Sequence, residues 1–543
     1  MNSEVETTNP QNEDSDVASD LREKGKSAVN ENTFTDVLRE ATADVLKKKI
    51  QEIKEDVLGH VNGRINDMML EIQKKIEVPI AKNGEFLYSS NKYRDKREST
   101  KSDTLGDKEF LERNSLFTDL FSISHIRTVY NLFMVIFIIL LSNTVASDIT
   151  ESGTIRVGTD TILMCFEKFP TCMYIWSLMQ TSTLGVYVGF ILWAYQRLRF
   201  LPKSFIRKFW DYGWLSAFIS YQILFIVFPA KAVLDTNLGI GCKLIVTMEQ
   251  IRMIMKSYAF VRSAASRFLS YKPHSETPQP SGPKFSQFLY FLFAPTLVYR
   301  DEYPRTKRIR WMVVIQNFIE VGLALFNLTF IMECLVLPVY SVSEIQPLER
   351  KWFVKNIINS SIPAILFFFT GHYLLLHAWM NAWAEMLRFA DRLFYKDWWN
   401  STTYHTYYRT WNVVVHDWLY TYIYKDMYEI VVPHTRVLAA TAVFLTSAIV
   451  HEYIISFAFG FFYPVMFVLF IVIGFPMFFI RKIVTSNLLM WLTWSIGNSI
   501  MFCLYPIEFY ARINCPPHSN YYFDLFIPRS WSCQEKFNDL IVP

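Results

Sequence analysis

Residues 437 to 457 read VLAATAVFLTSAIVHEYIISF, an apolar run that carries His451 and Glu452 in its interior. An ionisable side chain at bilayer depth costs about 2.5 kcal/mol or more, so it turns towards a cavity or a partner and marks function more often than in a soluble core. An imidazole surrounded by hydrocarbon stays neutral and keeps a lone pair for a proton, which suits a general base acting on a lipid alcohol. The competing structural reading makes His451 a hydrogen-bonding residue between helices. Ser447 lies one helical turn earlier on the same face and lines the same space. No GxSxG elbow surrounds it, so it reads as a lining or ligand-contact residue rather than a nucleophile.

A second set of polar groups lies upstream, in the stretch Phe394 to Tyr428, FYKDWWNSTTYHTYYRTWNVVVHDWLYTYIYKDMY. It carries thirteen Phe, Trp or Tyr in thirty-five residues, interleaved with Arg, Lys, Asp, Asn and His. It has no apolar run long enough to cross a bilayer, and rings with polar tips belong at a water–lipid boundary. Asn412 and His416 are four apart, with Arg409 and Trp411 adjoining. The Asn412 amide offers two donors to an oxygen that gains charge in a reaction. A buried neutral base, an amide donor and flanking arginines suit acyl transfer from an anionic donor to a lipid alcohol.

The elements that must hold these groups are membrane helices. The chain of 543 residues is 51% hydrophobic and 17% aromatic, and its apolar residues gather into runs near the ~20 residues that one spanning helix needs. Nine candidate spans fall at about 127–148, 171–195, 213–234, 237–257, 311–337, 356–379, 437–457, 461–480 and 486–505. The net charge of +4 is small, and the basic residues sit between the runs rather than in a stripe, which excludes a nucleic-acid track. With no apolar run of signal-peptide length before residue 125, the first span directs insertion, no peptide is removed and the N-terminus is cytosolic. The loops after spans two, four, six and eight are then cytosolic and hold the arginines and lysines, in agreement with the positive-inside rule.

Residues 1–33 are polar, acidic and unable to bury enough surface to order. From Leu46 the apolar residues Ile50, Ile53, Val57, Val61, Ile65, Met68, Ile72 and Ile76 fall in steps of three or four on one helical face. Residues 34–80 therefore read as an amphipathic helix whose apolar face is covered by another copy of itself, the rest of the protein being the alternative, joined by a linker (81–124) to a transmembrane domain (125–510). An odd number of spans places the tail (511–543) in the lumen. Oxidation is permitted there, so a Cys515–Cys533 bridge is expected, with two free thiols as the alternative. Sequons at Asn327, Asn359 and Asn400 lie in or beside spans or on the cytosolic side, and none is expected to carry glycan.

Several long motifs make a resemblance visible. FYKDWWN (Phe394 to Asn400), RTWNVVVHDW (Arg409 to Trp418), SAIVHEY (Ser447 to Tyr453) and YFLFAPTLVYRDEYPR (Tyr290 to Arg305) closely resemble the sterol O-acyltransferases of the membrane-bound O-acyltransferase superfamily. The resemblance runs from His125 to the C-terminus, including the final cysteine pair. It implies an all-α polytopic fold and esterification of cholesterol or a related sterol by long-chain acyl-CoA in the endoplasmic reticulum membrane. It also implies dimers or tetramers, with acyl-CoA as co-substrate and no tightly bound cofactor or metal.

The same resemblance places the catalytic histidine on His451 and its partner on Asn412, with Trp411 beside it. Arg409, Tyr424, Arg436 and Ser447 match positions that contact acyl-CoA, and His416 belongs to the same signature. Thr406 stands where the related pattern has an asparagine, so its shorter hydroxyl would reach CoA only through another atom or a water. His125 matches a histidine near a sterol tunnel, or alternatively anchors the helix end at the interface. The FYxDWWN motif comprises Phe394, Tyr395, Asp397, Trp398, Trp399 and Asn400; Asn400 shapes the site, while Asp397, Trp398 and Trp399 read as structural support. Three alternatives remain: a diacylglycerol acyltransferase with the same base and donor, a proton-coupled lipid transporter using His451 and Glu452 as a relay, and a catalytically silent scaffold or sterol sensor that keeps the fold.

Overall fold

The computed structural model describes residues 49, 51, 105–153, 159–271, 279–341, 350–480 and 485–531. The chain divides into two units, Met1–Asp103 and Thr104–Pro543. In the first, Lys49 and Gln51 are described, both helical; the expected disordered tail and the rest of the amphipathic helix lie outside the described residues.

The second unit is built of helices: α1 (Ser124–Ser152), α2 (Phe169–Arg199), α3 (Phe205–Asp235), α4 (Ile240–Ser270), α5 (Phe285–Phe293), α6 (Trp311–Tyr340), α7 (Arg350–Met386), α8 (Tyr404–Thr410), α9 (Val413–Leu419), α10 (Arg436–Phe459), α11 (Val465–Phe479) and α12 (Asn487–Asn514). Among the described residues, seven helices are long and apolar enough to cross a membrane: α1, α2 (with the short helix before it), α3, α6, α7, α10 and α12. The other two expected spans correspond to α4 and α11. α4 is a continuous helix of 31 residues, but it carries Glu249, Arg252, Lys256 and Arg262. α11 is short and contains a π-helical segment, Leu469–Gly474.

The charges inside α4 are matched locally. Lys256 is buried and donates to the carbonyls of Phe291, Leu292 and Ala294 at 2.6, 2.9 and 2.7 Å, satisfying acceptors at the end of α5. Arg252 pairs with Glu249 at 2.6 Å, and the same carboxylate accepts from Trp176 of α2 at 2.8 Å. These bonds make a charged helix compatible with the packed interior between α2, α3 and α10.

α2, α3 and α4 pack together, α6 and α7 pack with α12, and α10 stands against α4. One device couples this last contact to α3. Pro229 has no backbone N–H, so the carbonyl of Phe225 four residues earlier loses its helical donor. Gln250 of α4 supplies it, donating to Phe225 and Ile226 at 2.8 and 2.9 Å, while its own carbonyl accepts from the hydroxyl of Tyr453 on α10 at 2.7 Å. A carbonyl freed by a proline in α3 is thus linked to the helix that carries His451 through a single amide.

Candidate functional site

His451 is half-buried on α10, and its Nδ1 lies 2.7 Å from the carbonyl oxygen of Ser447, with the Ser447 hydroxyl at 3.4 Å. A carbonyl oxygen only accepts, so Nδ1 carries the ring proton and Nε2 keeps the lone pair. The imidazole stacks on Phe470 of α11, with centroids 4.9 Å apart and 29° between the planes.

Glu452 takes no part in that arrangement. It is buried and accepts from the backbone N–H of Phe467 at 3.0 Å and from the hydroxyls of Ser456 and Tyr505 at 3.3 and 3.4 Å. It therefore caps the start of α11, and no described bond joins it to His451 as a relay would need.

The aromatic stretch approaches this region through Phe470, which contacts both His451 and Tyr408. Asn412 is the N-cap of α9, and its Oδ1 accepts from the backbone N–H of Val415 at 3.1 Å. That bond fixes the amide plane and leaves its NH2 group without a described partner. Trp411 is wedged between His372 and Trp398, each with its ring 4.5 Å away, and its carbonyl oxygen accepts from His372 Nε2 at 3.0 Å. Tyr408 of α8 packs on Phe444 of α10 at 5.1 Å and on Phe470 at 6.2 Å, so Phe470 touches both the aromatic stretch and His451.

Beside these residues lies a cavity of about 270 Å³ lined by Lys396, His405, Thr406, Arg409, Thr410, Val413, His416 and Asp417. It gathers Thr406, Arg409 and His416 in one place. Lys396 and Arg409 are exposed cations with no described ion pair. Although the residue as a whole is exposed, partial desolvation of its ammonium end, and then the neighbouring cations Arg113, Arg409 and Lys108, hold the Lys396 pKa below its ordinary value. Asp417 is committed elsewhere: burial opposes its charge, but His416 and Lys108, the latter at 2.5 Å, outweigh this and hold the carboxyl below the usual range. The free positive charge therefore faces the cavity, as an anionic ligand requires.

Tyr424 is not in that lining. It belongs to a ladder of near-parallel rings, His416–Tyr420–Tyr424–Tyr428, with successive centroids 6.3, 5.7 and 6.0 Å apart. The turn bearing Tyr424 packs against α10. Arg436 is exposed at the first residue of α10, and Ser447 is half-buried further along it. His125 is exposed at the second residue of α1, away from these groups in the contacts described.

The FYxDWWN motif is mostly buried scaffold. Phe394, Tyr395 and Trp398 are buried. The Tyr395 hydroxyl pairs with His377 Nδ1 at 2.8 Å and accepts from the Phe117 N–H at 3.2 Å. The Trp399 carbonyl accepts from Asn487 and Trp491 of α12 at 2.8 and 3.1 Å. Asp397 and Asn400 are exposed and bracket a 3₁₀ turn. Sequence reasoning passed over His372, His377, Lys396 and His405. The first two are ionisable residues inside an apolar run, the same signal that singled out His451.

A family model described as MBOAT, membrane-bound O-acyltransferase family, matches residues 163–507. The chain belongs to the membrane-bound O-acyltransferase family. This O-acyltransferase is 39% identical over 436 residues to a mouse (Mus musculus) protein named sterol O-acyltransferase 1, covering 79% of this chain and 80% of that one. It is 37% identical over 439 residues to human sterol O-acyltransferase 2, covering 80% and 82%. The matched segment holds α10 and the whole cationic cavity, so the acyltransferase name applies to the part of the chain that carries the site.

Beyond the matched segment, Cys515 is disulfide-bonded. Cys533 lies outside the described residues. The tail beside Cys515 is clamped by Arg529, which pairs with Asp524 at 2.5 Å and donates to the carbonyls of Arg512 and Cys515, both at 3.0 Å.

Proposed function

We propose that this enzyme transfers a long-chain acyl group from acyl-CoA to the 3-hydroxyl of cholesterol or a related sterol. The observation that carries the reading is the His451 tautomer, with Nδ1–H held by the Ser447 carbonyl and Nε2 left as an acceptor. The relatives named sterol O-acyltransferases support the choice of acceptor.

In this mechanism Nε2 of His451 takes the hydroxyl proton as the sterol oxygen attacks the thioester carbon. The carbonyl oxygen gains negative charge, which the NH2 of Asn412 and the edge of Trp411 stabilise. The tetrahedral adduct collapses, the C–S bond breaks, and the CoA thiolate leaves with the proton returned by the imidazolium. The acyl group passes directly to the sterol, so no acyl-enzyme forms; Ser447 holds the ring through its carbonyl and contacts acyl-CoA rather than acting as a nucleophile. Lys396 and Arg409 take the phosphates of CoA, with Thr406, His405 and His416 around them; Tyr424 and Arg436 extend the contact along α10, and acyl-CoA is bound only as co-substrate. His125 stands at the sterol entry.

The setting that suits this chemistry is the endoplasmic reticulum membrane, with the cationic cavity and N-terminus cytosolic and the tail lumenal. There Cys515 pairs with Cys533, and residues 34–80 assemble copies into dimers or tetramers. The test is to supply labelled oleoyl-CoA to membranes holding the protein and to offer cholesterol and diacylglycerol separately. Labelled sterol ester supports the reading, and labelled triacylglycerol would assign the acceptor of the neighbouring diacylglycerol enzymes instead.

A further inference from the structure

We propose that Gly474, Tyr408 and Phe470 form a positioning device for His451; this rests on His451 being the base. The His451 imidazole is held by two contacts. One is the Ser447 carbonyl at Nδ1, and the other is the Phe470 ring stacked 4.9 Å away. The first fixes which nitrogen is the base, and the second fixes where that nitrogen points.

Phe470 sits in the π-helical segment Leu469–Gly474 of α11. A π-turn carries one extra residue per turn, re-aims the side chains on it and recurs at functional sites. The ring is backed by Tyr408, 6.2 Å away, which itself fills a slot among Phe444 at 5.1 Å, Tyr407 at 5.4 Å and Tyr404 at 6.0 Å.

Gly474 closes that slot. It is buried, and a Cβ added there would overlap the Tyr408 hydroxyl oxygen well inside contact distance, while the Tyr408 Cζ would be at an ordinary 3.6 Å. The glycine is therefore required by the hydroxyl rather than by the ring. An added methyl displaces the half-buried Tyr408 from this slot, and the device relays that shift through the Tyr408–Phe470 contact to the stacked imidazole. A displacement of the order of 1 Å at a reacting group costs up to about 10²-fold in rate, so a single buried methyl far from substrate reaches the chemical step.

The experiment compares kcat and KM for oleoyl-CoA in Gly474→Ala, Tyr408→Phe, the double variant, Phe470→Leu and His451→Ala, with the thermal midpoint of each in detergent. Gly474→Ala is expected to lose about tenfold or more in kcat while KM stays within about twofold. Adding Tyr408→Phe removes the overlapping oxygen and is expected to bring the double variant to within about threefold of Tyr408→Phe alone. Phe470→Leu adds no bulk and reports on the stacking if Gly474→Ala does not fold; it is expected to lower kcat with KM held. A wild-type kcat in Gly474→Ala or Phe470→Leu, or a folded double variant without recovery, overturns the device. Activity in His451→Ala would instead overturn the base itself, so the two failures are distinguishable.

Discussion

The carbonyl oxygen of Ser447 lies 2.7 Å from Nδ1 of His451, one turn later on the same helix. The helix thereby sets the tautomer of its own histidine from within, needing no carboxylate partner. Glu452, the neighbouring carboxylate, is spent on the N–H of Phe467 and the hydroxyl of Tyr505. A neutral base of this kind suits an apolar cavity, where an ion pair would have to be desolvated.

Asn412 is held by Val415 through its oxygen, which leaves its two N–H donors for the proposed oxyanion contact. Asn412→Ala is expected to lower kcat about 10²- to 10³-fold with KM for acyl-CoA little changed. Asn412→Asp keeps the cap on Val415 but removes the donors, and it should be as inactive as the alanine variant while matching wild type in thermal midpoint. Steady-state kinetics on purified protein check both.

Lys396 and Arg409 line the cavity without a described ion pair, and in the proposed mechanism their charges act on KM rather than kcat. Lys396→Gln and Arg409→Gln are each expected to raise KM for oleoyl-CoA about fivefold to tenfold, close to 1.4 kcal/mol per charge-assisted bond. Raising the salt concentration should weaken acyl-CoA binding more in wild type than in the double variant.

Gln250 satisfies three groups at once: the carbonyls of Phe225 and Ile226 and the hydroxyl of Tyr453. Gln250→Leu leaves all three without that partner, at about 1–3 kcal/mol for each one that stays buried. A fall in thermal midpoint is expected, and Gln250→Leu combined with Tyr453→Phe should recover part of it. Differential scanning fluorimetry in detergent reads both.

Asp524 is held at a pKa of about 2, chiefly by its hydrogen bonds to Arg529. A depressed carboxyl contributes stability above its unfolded value near 3.9 and loses it as the pH falls through the folded value. The clamp on the tail at Cys515 should therefore be constant from pH 5 to pH 8. The difference in thermal midpoint between wild type and Asp524→Asn is expected to stay flat across that window, and a difference that changes sharply within it contradicts the assignment.

The sequence made His451 legible because one imidazole stood out in a run of aliphatic residues. Asn412, Trp411 and Arg409 were legible through long motifs, although spacing alone could not say that Asn412 caps α9 with its oxygen. His372 and His377 carried the same intramembrane signal but lay among rings and leucines in a stretch that already read as an ordinary span. Lys396 was hidden inside the FYxDWWN motif, and only the fold brings it beside Arg409 across the turn joining Lys396 to the Thr410 carbonyl at 2.9 Å. The run at 237–257 reads as a span by composition. α4 continues to Ser270 because Lys256 and Arg252 find carbonyl and carboxylate partners on α5 and within the helix, contacts that no local pattern encodes. The break in α11 was equally invisible, since a π-turn leaves no compositional mark.

The most direct test is the rate of oleoyl transfer from oleoyl-CoA to cholesterol by equal amounts of folded wild-type protein and His451→Ala. A general base contributes about 10²- to 10⁴-fold, so the variant should lose at least about 10²-fold in kcat while still binding oleoyl-CoA. Undiminished sterol ester formation by His451→Ala would contradict the mechanism.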